Sequence, residues 1–119
     1  MAKILVVDDD DDALLYAQSV LGKEYVVMTV NSWIKASEAL MREKFDLVLL
    51  DIDMPGLSGD KLAAILQRRF TDSPLNIVLF SGIDEAELEK KAGEIGAKGF
   101  IHKPCPSDLF SLRIKRFLR

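Results

Sequence analysis

Ile4-Leu5-Val6-Val7-Asp8-Asp9, Leu47-Val48-Leu49-Leu50-Asp51, Ile77-Val78-Leu79-Phe80-Ser81 and Phe100-Ile101-His102-Lys103-Pro104 share one pattern: a short apolar run that stops at a polar residue. Runs of this length, separated by stretches of helical periodicity, predict buried parallel strands. In an open parallel sheet the carboxyl ends of the strands share one edge, and ligands bind there. Asp8, Asp9, Asp51, Ser81 and Lys103 are therefore expected to converge. Three carboxylates, a hydroxyl and an ammonium suit a divalent cation and a phosphoryl group.

The segments between these runs fit the same plan. A helix is predicted from Asp12 to Gly22, with Leu14, Ala17 and Leu21 on one side. A strand rich in β-branched residues follows over Tyr25 to Val30. Ser32 is a candidate N-cap for a helix that turns Ala36, Ala39 and Leu40 inward. Pro55-Gly56 signals a turn, and Ser58 is a candidate cap for a helix whose apolar face is Leu62, Ile65, Leu66 and Phe70. Asp84-x-x-Glu87 resembles a capping box. The last helix is predicted over Ser107 to Leu118. Strict β-α alternation implies an α/β fold with right-handed crossovers and helices on both faces of the sheet, a three-layer sandwich.

The bulk properties narrow the function. At 119 residues and 49% hydrophobic content, the chain suits one domain with a real core. No apolar stretch approaches a membrane span. The opening Met-Ala-Lys with four apolar residues is too short, and too soon acidic, for a signal peptide. A single cysteine, Cys105, excludes an internal disulfide and fits a reducing compartment, so a cytoplasmic location is expected. Cys105 reads as a loop residue, because His102 should point away from it along a strand. A net charge of −3 gives no electrostatic basis for direct nucleic-acid binding. The basic C-terminus (Arg113, Lys115, Arg116, Arg119) reads as a solvated helix face.

Magnesium takes oxygen ligands and is usually held by one or two carboxylates plus phosphate oxygens. Asp8, Asp9 and Asp51 supply such ligands if their strands are neighbours. Without a cation, three clustered carboxylates repel one another and resist full ionisation. An aspartate carboxylate can also act as a nucleophile and form an aspartyl phosphate. Lys103 would then pair with a phosphoryl oxygen as a point charge, and Ser81 would donate a hydrogen bond to another. An aspartate after a strand is often only a helix cap. It is the coincidence of four strand ends in order that favours the site.

Val6-Val7-Asp8-Asp9, Leu50-Asp51-Ile52-Asp53-Met54-Pro55-Gly56, Phe80-Ser81-Gly82 and Lys103-Pro104, taken in this order, resemble the response-regulator receiver domain of two-component signalling. The resemblance covers the whole chain and implies one receiver domain over residues 1–119, flavodoxin-like and (βα)5, with a parallel sheet in the order 2-1-3-4-5. It implies that Asp51 is the phosphoacceptor, receiving its phosphoryl group from the phosphohistidine of a histidine kinase or phosphotransfer protein. It makes Asp9 and Asp51 direct ligands of magnesium, for which manganese can substitute. Asp8 would act largely through water, and Asp53 through its backbone carbonyl. Lys103 and Ser81 are the catalytic partners, and Ser81 and Phe100 the switch pair. The implied activity is a switch with self-phosphorylation and autodephosphorylation chemistry, rather than an enzyme acting on a metabolite. An output domain beyond Arg119 is compatible with this reading. Ser81 stands where threonine is commoner, Gly82 where alanine is more usual, and Phe100 lacks the hydroxyl of the tyrosine often found there.

Other readings fit less well. Asp51-x-Asp53 also resembles the start of a haloacid-dehalogenase-type phosphatase, but that family places its nucleophile on the first strand of a longer chain. The acidic run Asp8 to Asp12 is no calcium loop, since Ala13 falls where the glycine belongs. No glycine-rich phosphate loop precedes a helix. A non-phosphorylated interaction module of the same fold is disfavoured by the intact acids. In the last helix Phe110, Ile114 and Phe117 fall at i, i+4 and i+7 and should face the sheet. Leu109 and Leu112 then lie on the opposite arc, a candidate homodimer or partner surface.

Overall fold

The computed structural model describes residues 1–54 and 75–119. Five strands, β1 (Lys3–Val7), β2 (Val26–Val30), β3 (Leu47–Leu50), β4 (Ile77–Ser81) and β5 (Gly99–His102), form one sheet. All neighbours pair parallel, in the order β2-β1-β3-β4-β5. Four helices are described: α1 (Asp11–Leu21), α2 (Trp33–Arg42), α3 (Glu85–Ile95) and α4 (Ser107–Phe117). The expected turn at Pro55-Gly56, and the expected helix capped by Ser58 and carrying Leu62, Ile65, Leu66 and Phe70, lie outside the described residues.

The central strands are buried on both sides, which is why they read as unbroken apolar runs. Their alternate side chains feed two separate cores. One face joins Leu5, Val7, Leu50, Ile77 and Leu79 to Ala36, Ala39 and Leu40 of α2 and to Leu88 and Ala92 of α3. The other joins Ile4, Val6, Leu47, Val78, Phe80 and Ile101 to Ala17 and Leu21 of α1 and to Phe110 and Ile114 of α4. The result is the three-layer sandwich with α1 and α4 on one side and α2 and α3 on the other. Phe110 anchors its layer, with its ring centroid 5.0 Å from that of Phe80 and 5.4 Å from that of Tyr16.

Local signals set the helix ends. The Asp10 side chain accepts from the Asp12 N–H, so α1 begins one residue before its predicted start at Asp12. Ser32 accepts from the Lys35 N–H, and Asp84 from the Glu87 N–H, as their sequence contexts predict. Gly96 ends α3 in the left-handed region at φ 72°, where a side chain would be strained. At Gly99 the requirement is space: a Cβ there would lie 2.5 Å from the Phe117 ring, so glycine lets α4 sit down on β5. The second strand starts one residue later than expected. Tyr25 is drawn back onto α1, its N–H donating to the Leu21 carbonyl. The Asn76 side chain is used across the sheet, donating to the Asp46 carbonyl. Among the described residues no helix is long and apolar enough to cross a membrane.

Candidate functional site

Strand register builds the site. Val7 pairs with Leu50, so the next residues, Asp8 and Asp51, emerge side by side. The Asp51 N–H donates to the Val7 carbonyl at 2.9 Å, and the Asp8 N–H to the Val30 carbonyl at 3.2 Å, fixing both backbones. At the other end of the sheet, the Lys103 N–H donates to the Ser81 carbonyl at 2.8 Å. Lys103 therefore leaves β5 along the same edge and extends back across the sheet to the acids.

Carboxylate oxygens of Asp8, Asp9 and Asp51 lie within 4.8 Å of one another. Asp8 is 2% and Asp51 7% exposed, whereas Asp9 faces solvent. The Lys103 ammonium donates to Asp8 Oδ2 at 2.5 Å and to Asp51 Oδ2 at 3.1 Å. It also sits 5.0 Å from the centroid of the Phe80 ring, whose face favours a cation. Burial pushes the Asp8 carboxyl above its usual range, and the Lys103 hydrogen bond only partly offsets this. Burial works against the Lys103 charge too, but its bonds to Asp8 and Asp51 outweigh it, so its pKa is raised.

The remaining oxygens are held by local turns. Asp8 Oδ1 accepts from the Asp10 N–H at 3.0 Å, and Asp51 Oδ1 from the Asp53 N–H at 2.8 Å. Each carboxylate thus has one oxygen fixed by backbone and one on the lysine. Asp53 is brought beside Asp51 by this turn, but its exposed carboxylate is not part of the converging group. The donor set fits a hard divalent cation: several carboxylate oxygens clustered within the reach of one ion, with Asp8 and Asp51 buried and Asp9 open to solvent.

Ser81 is fully buried, and its Oγ accepts from the Ile83 N–H over a long 3.4 Å. Phe100 is half-buried and packs against the core under α3. Gly82 is not a steric necessity, since a Cβ there would meet Lys103 Cβ at an ordinary 3.8 Å. His102 indeed turns away from Cys105, its Nε2 lying 2.8 Å from the Ile83 carbonyl oxygen. Sequence reading missed that contact, and also the bond from the Tyr16 hydroxyl to the Cys105 carbonyl at 2.6 Å, which ties α1 to the segment after Lys103. Neither pair has a spacing that announces it, though a tyrosine on the sheet-facing side of α1 is a residue that needs a partner when buried.

Comparison with known proteins agrees with this geometry. A family model described as the response regulator receiver domain matches residues 4–115. The chain is 26% identical over 117 residues to sporulation initiation phosphotransferase F of Bacillus subtilis, covering 98% of this chain and 93% of that protein. It is 29% identical over 116 residues to a probable cyclic di-GMP phosphodiesterase of Vibrio cholerae, covering 98% of this chain and 26% of that protein's length. Among solved structures, a BeF3-activated DrrB receiver domain superposes with a TM-score of 0.85 at 29% identity, over 99% of this chain and 97% of that one. By the match of the family model over nearly its whole length, this chain belongs to the receiver domain family of two-component response regulators.

Proposed function

We propose that residues 1–119 form a single receiver domain, a magnesium-dependent switch that accepts a phosphoryl group on Asp51 from the phosphohistidine of a histidine kinase or phosphotransfer protein. The observation that carries this reading is the Lys103 ammonium bridging Asp8 and Asp51 at the edge where three carboxylates converge. A cation at Asp8, Asp9, Asp51 and the Asp53 carbonyl, magnesium or manganese, would offset the crowded negative charge and that of the incoming phosphoryl oxygens.

The chain's own groups do the rest. The Asp53 N–H fixes one oxygen of Asp51 and so orients its carboxylate. Oδ2, now on Lys103, is the nucleophile. It attacks phosphorus as the P–N bond to the donor imidazole breaks, and the electron pair leaves with the ring nitrogen, which takes a proton. Lys103 transfers its bond to a phosphoryl oxygen. Ser81, whose Oγ among the described residues accepts a long 3.4 Å bond from the Ile83 N–H, donates its hydroxyl proton to another. Phe100 then turns inward toward the ground Ser81 vacates. Hydrolysis of the acyl phosphate by water resets the switch.

The exposed Leu109 (42%) and Leu112 (46%) on α4 offer a surface for self-association or for a partner. An output domain beyond Arg119 and a cytoplasmic location fit the same reading. Replacing Asp51 by Asn tests it: with a small acyl-phosphate donor and magnesium, the wild-type chain labels and Asp51→Asn does not. Full labelling of the variant would sink the assignment.

A further inference from the structure

Ser81 and His102 are cross-strand partners in the β4–β5 ladder. Strand alternation puts Leu79 and Ser81 on one face of the sheet, with Phe100 and His102 on that same face. Leu79 and Phe100 share the core cluster of Leu88 and Ala92, so this is the face under α3. His102 therefore stands directly beside Ser81, on the ground toward which Phe100 would have to turn.

The His102 ring is anchored. Its Nε2 lies 2.8 Å from the Ile83 carbonyl oxygen, which can only accept, so the bond requires the proton on Nε2. The N–H of the same Ile83 reaches Ser81 Oγ. Ile83 is thus held at its N–H by Ser81 and at its carbonyl by His102. The next residue, Asp84, caps α3. One imidazole therefore links β5 to the loop that positions both Ser81 and the start of α3.

We propose that His102 is a positioning residue that holds the β4–α3 loop in its resting arrangement, so that its bond to Ile83 opposes the movement of Ser81 and Phe100. The proposal rests on the phosphorylation-switch reading above. Of the two bonds on Ile83, the one to Ser81 is long and easily given up, and the one to His102 is short. A bond made only in the resting state lowers the activated population by its net strength, about fivefold for one hydrogen bond.

The test titrates beryllofluoride with magnesium into the full chain, reading the Phe100 ring and the Ile83 amide by NMR. His102→Leu keeps bulk without a donor; His102→Gln keeps an N–H donor at similar reach. The expected result is a half-saturation point about fivefold lower in His102→Leu, with its Phe100 signals displaced toward the bound position before any ligand is added. His102→Gln should return both to wild type. A merely structural role would not produce that rescue. If His102→Leu does not fold, His102→Phe is read in its place. A donor-less variant with the wild-type midpoint and wild-type Phe100 signals, or a Gln variant behaving like Leu, overturns the proposal alone. A wild-type chain that does not respond to beryllofluoride overturns the switch reading and this proposal together.

Discussion

Replacing Lys103 by Met separates the lysine's role in the resting site from a surface role. Its ammonium is the partner of two carboxylates that are almost wholly buried, Asp8 and Asp51. Removing one partner of a buried ion pair costs about 3–5 kcal/mol, because the other charge is left buried and unpaired. The Lys103 side chain keeps 21% of its surface exposed, and water can reach part of the gap, so a loss discounted below that range, about 2–3 kcal/mol, is expected. With an unfolding entropy of ~2.1 cal/mol/K per residue, such a loss lowers the midpoint temperature by about 10 °C. The sign of the pH dependence follows from two groups. Lys103 has a raised folded pKa, so its contribution is complete below 10.5 and lost only as pH rises through the folded value. Asp8 also has a raised folded pKa, so its ionisation weakens the fold as pH rises above 3.8, and losing Lys103 strengthens that effect. The deficit of Lys103→Met should therefore be full at neutral pH and shrink as the solution is acidified toward the Asp8 pKa. Magnesium should narrow it too, since the ammonium no longer competes for the acids. Urea unfolding with and without magnesium, at neutral and acidic pH, measures all of this. Equal stability of variant and wild type in metal-free neutral buffer would refute the reasoning.

Asp9→Ala should lose magnesium affinity by tenfold or more while folding normally, since Asp9 is exposed and its carboxylate is one of the three that converge; an unchanged magnesium titration excludes it as a ligand. Ser81→Ala should still be phosphorylated but fail to reorient Phe100, and wild-type beryllofluoride shifts around Phe100 in that variant would break the coupling. If the α4 surface is used for self-association, phosphorylation or beryllofluoride should promote it, and Leu112→Glu should block it without affecting labelling. Sedimentation decides, because a monomer in both states at high concentration removes the idea.

The sheet and the convergence of its edge were legible because burial on both faces writes strands as apolar runs, and each run stops where the chain reaches the polar edge. Asp8, Asp51, Ser81 and Lys103 could be placed on one edge because the carboxyl ends of parallel strands share it. Strand order itself was implied by the family resemblance rather than by periodicity, which cannot rank neighbours. What remained hidden depends on side-chain geometry across distant segments. No spacing reveals that Lys103 lies closer to Asp8 than to Asp51, that Tyr16 reaches the Cys105 carbonyl 89 residues away, or that His102 reaches Ile83. Boundaries slipped for the same reason: Tyr25 has strand propensity, yet its N–H is taken by the end of α1. Phe110, Ile114 and Phe117 face the sheet as their spacing predicts, because helical period alone decides which side of a helix is covered.

The most direct test of the account is chemical mapping of the acyl phosphate. The wild-type chain is labelled in magnesium with a small phosphodonor, reduced with borohydride, and sequenced by mass spectrometry. The account predicts a single reduced carboxyl, at Asp51, that disappears when the metal is chelated before labelling. Reduction at Asp8, Asp9 or Asp53, or labelling that proceeds equally without metal, would contradict it.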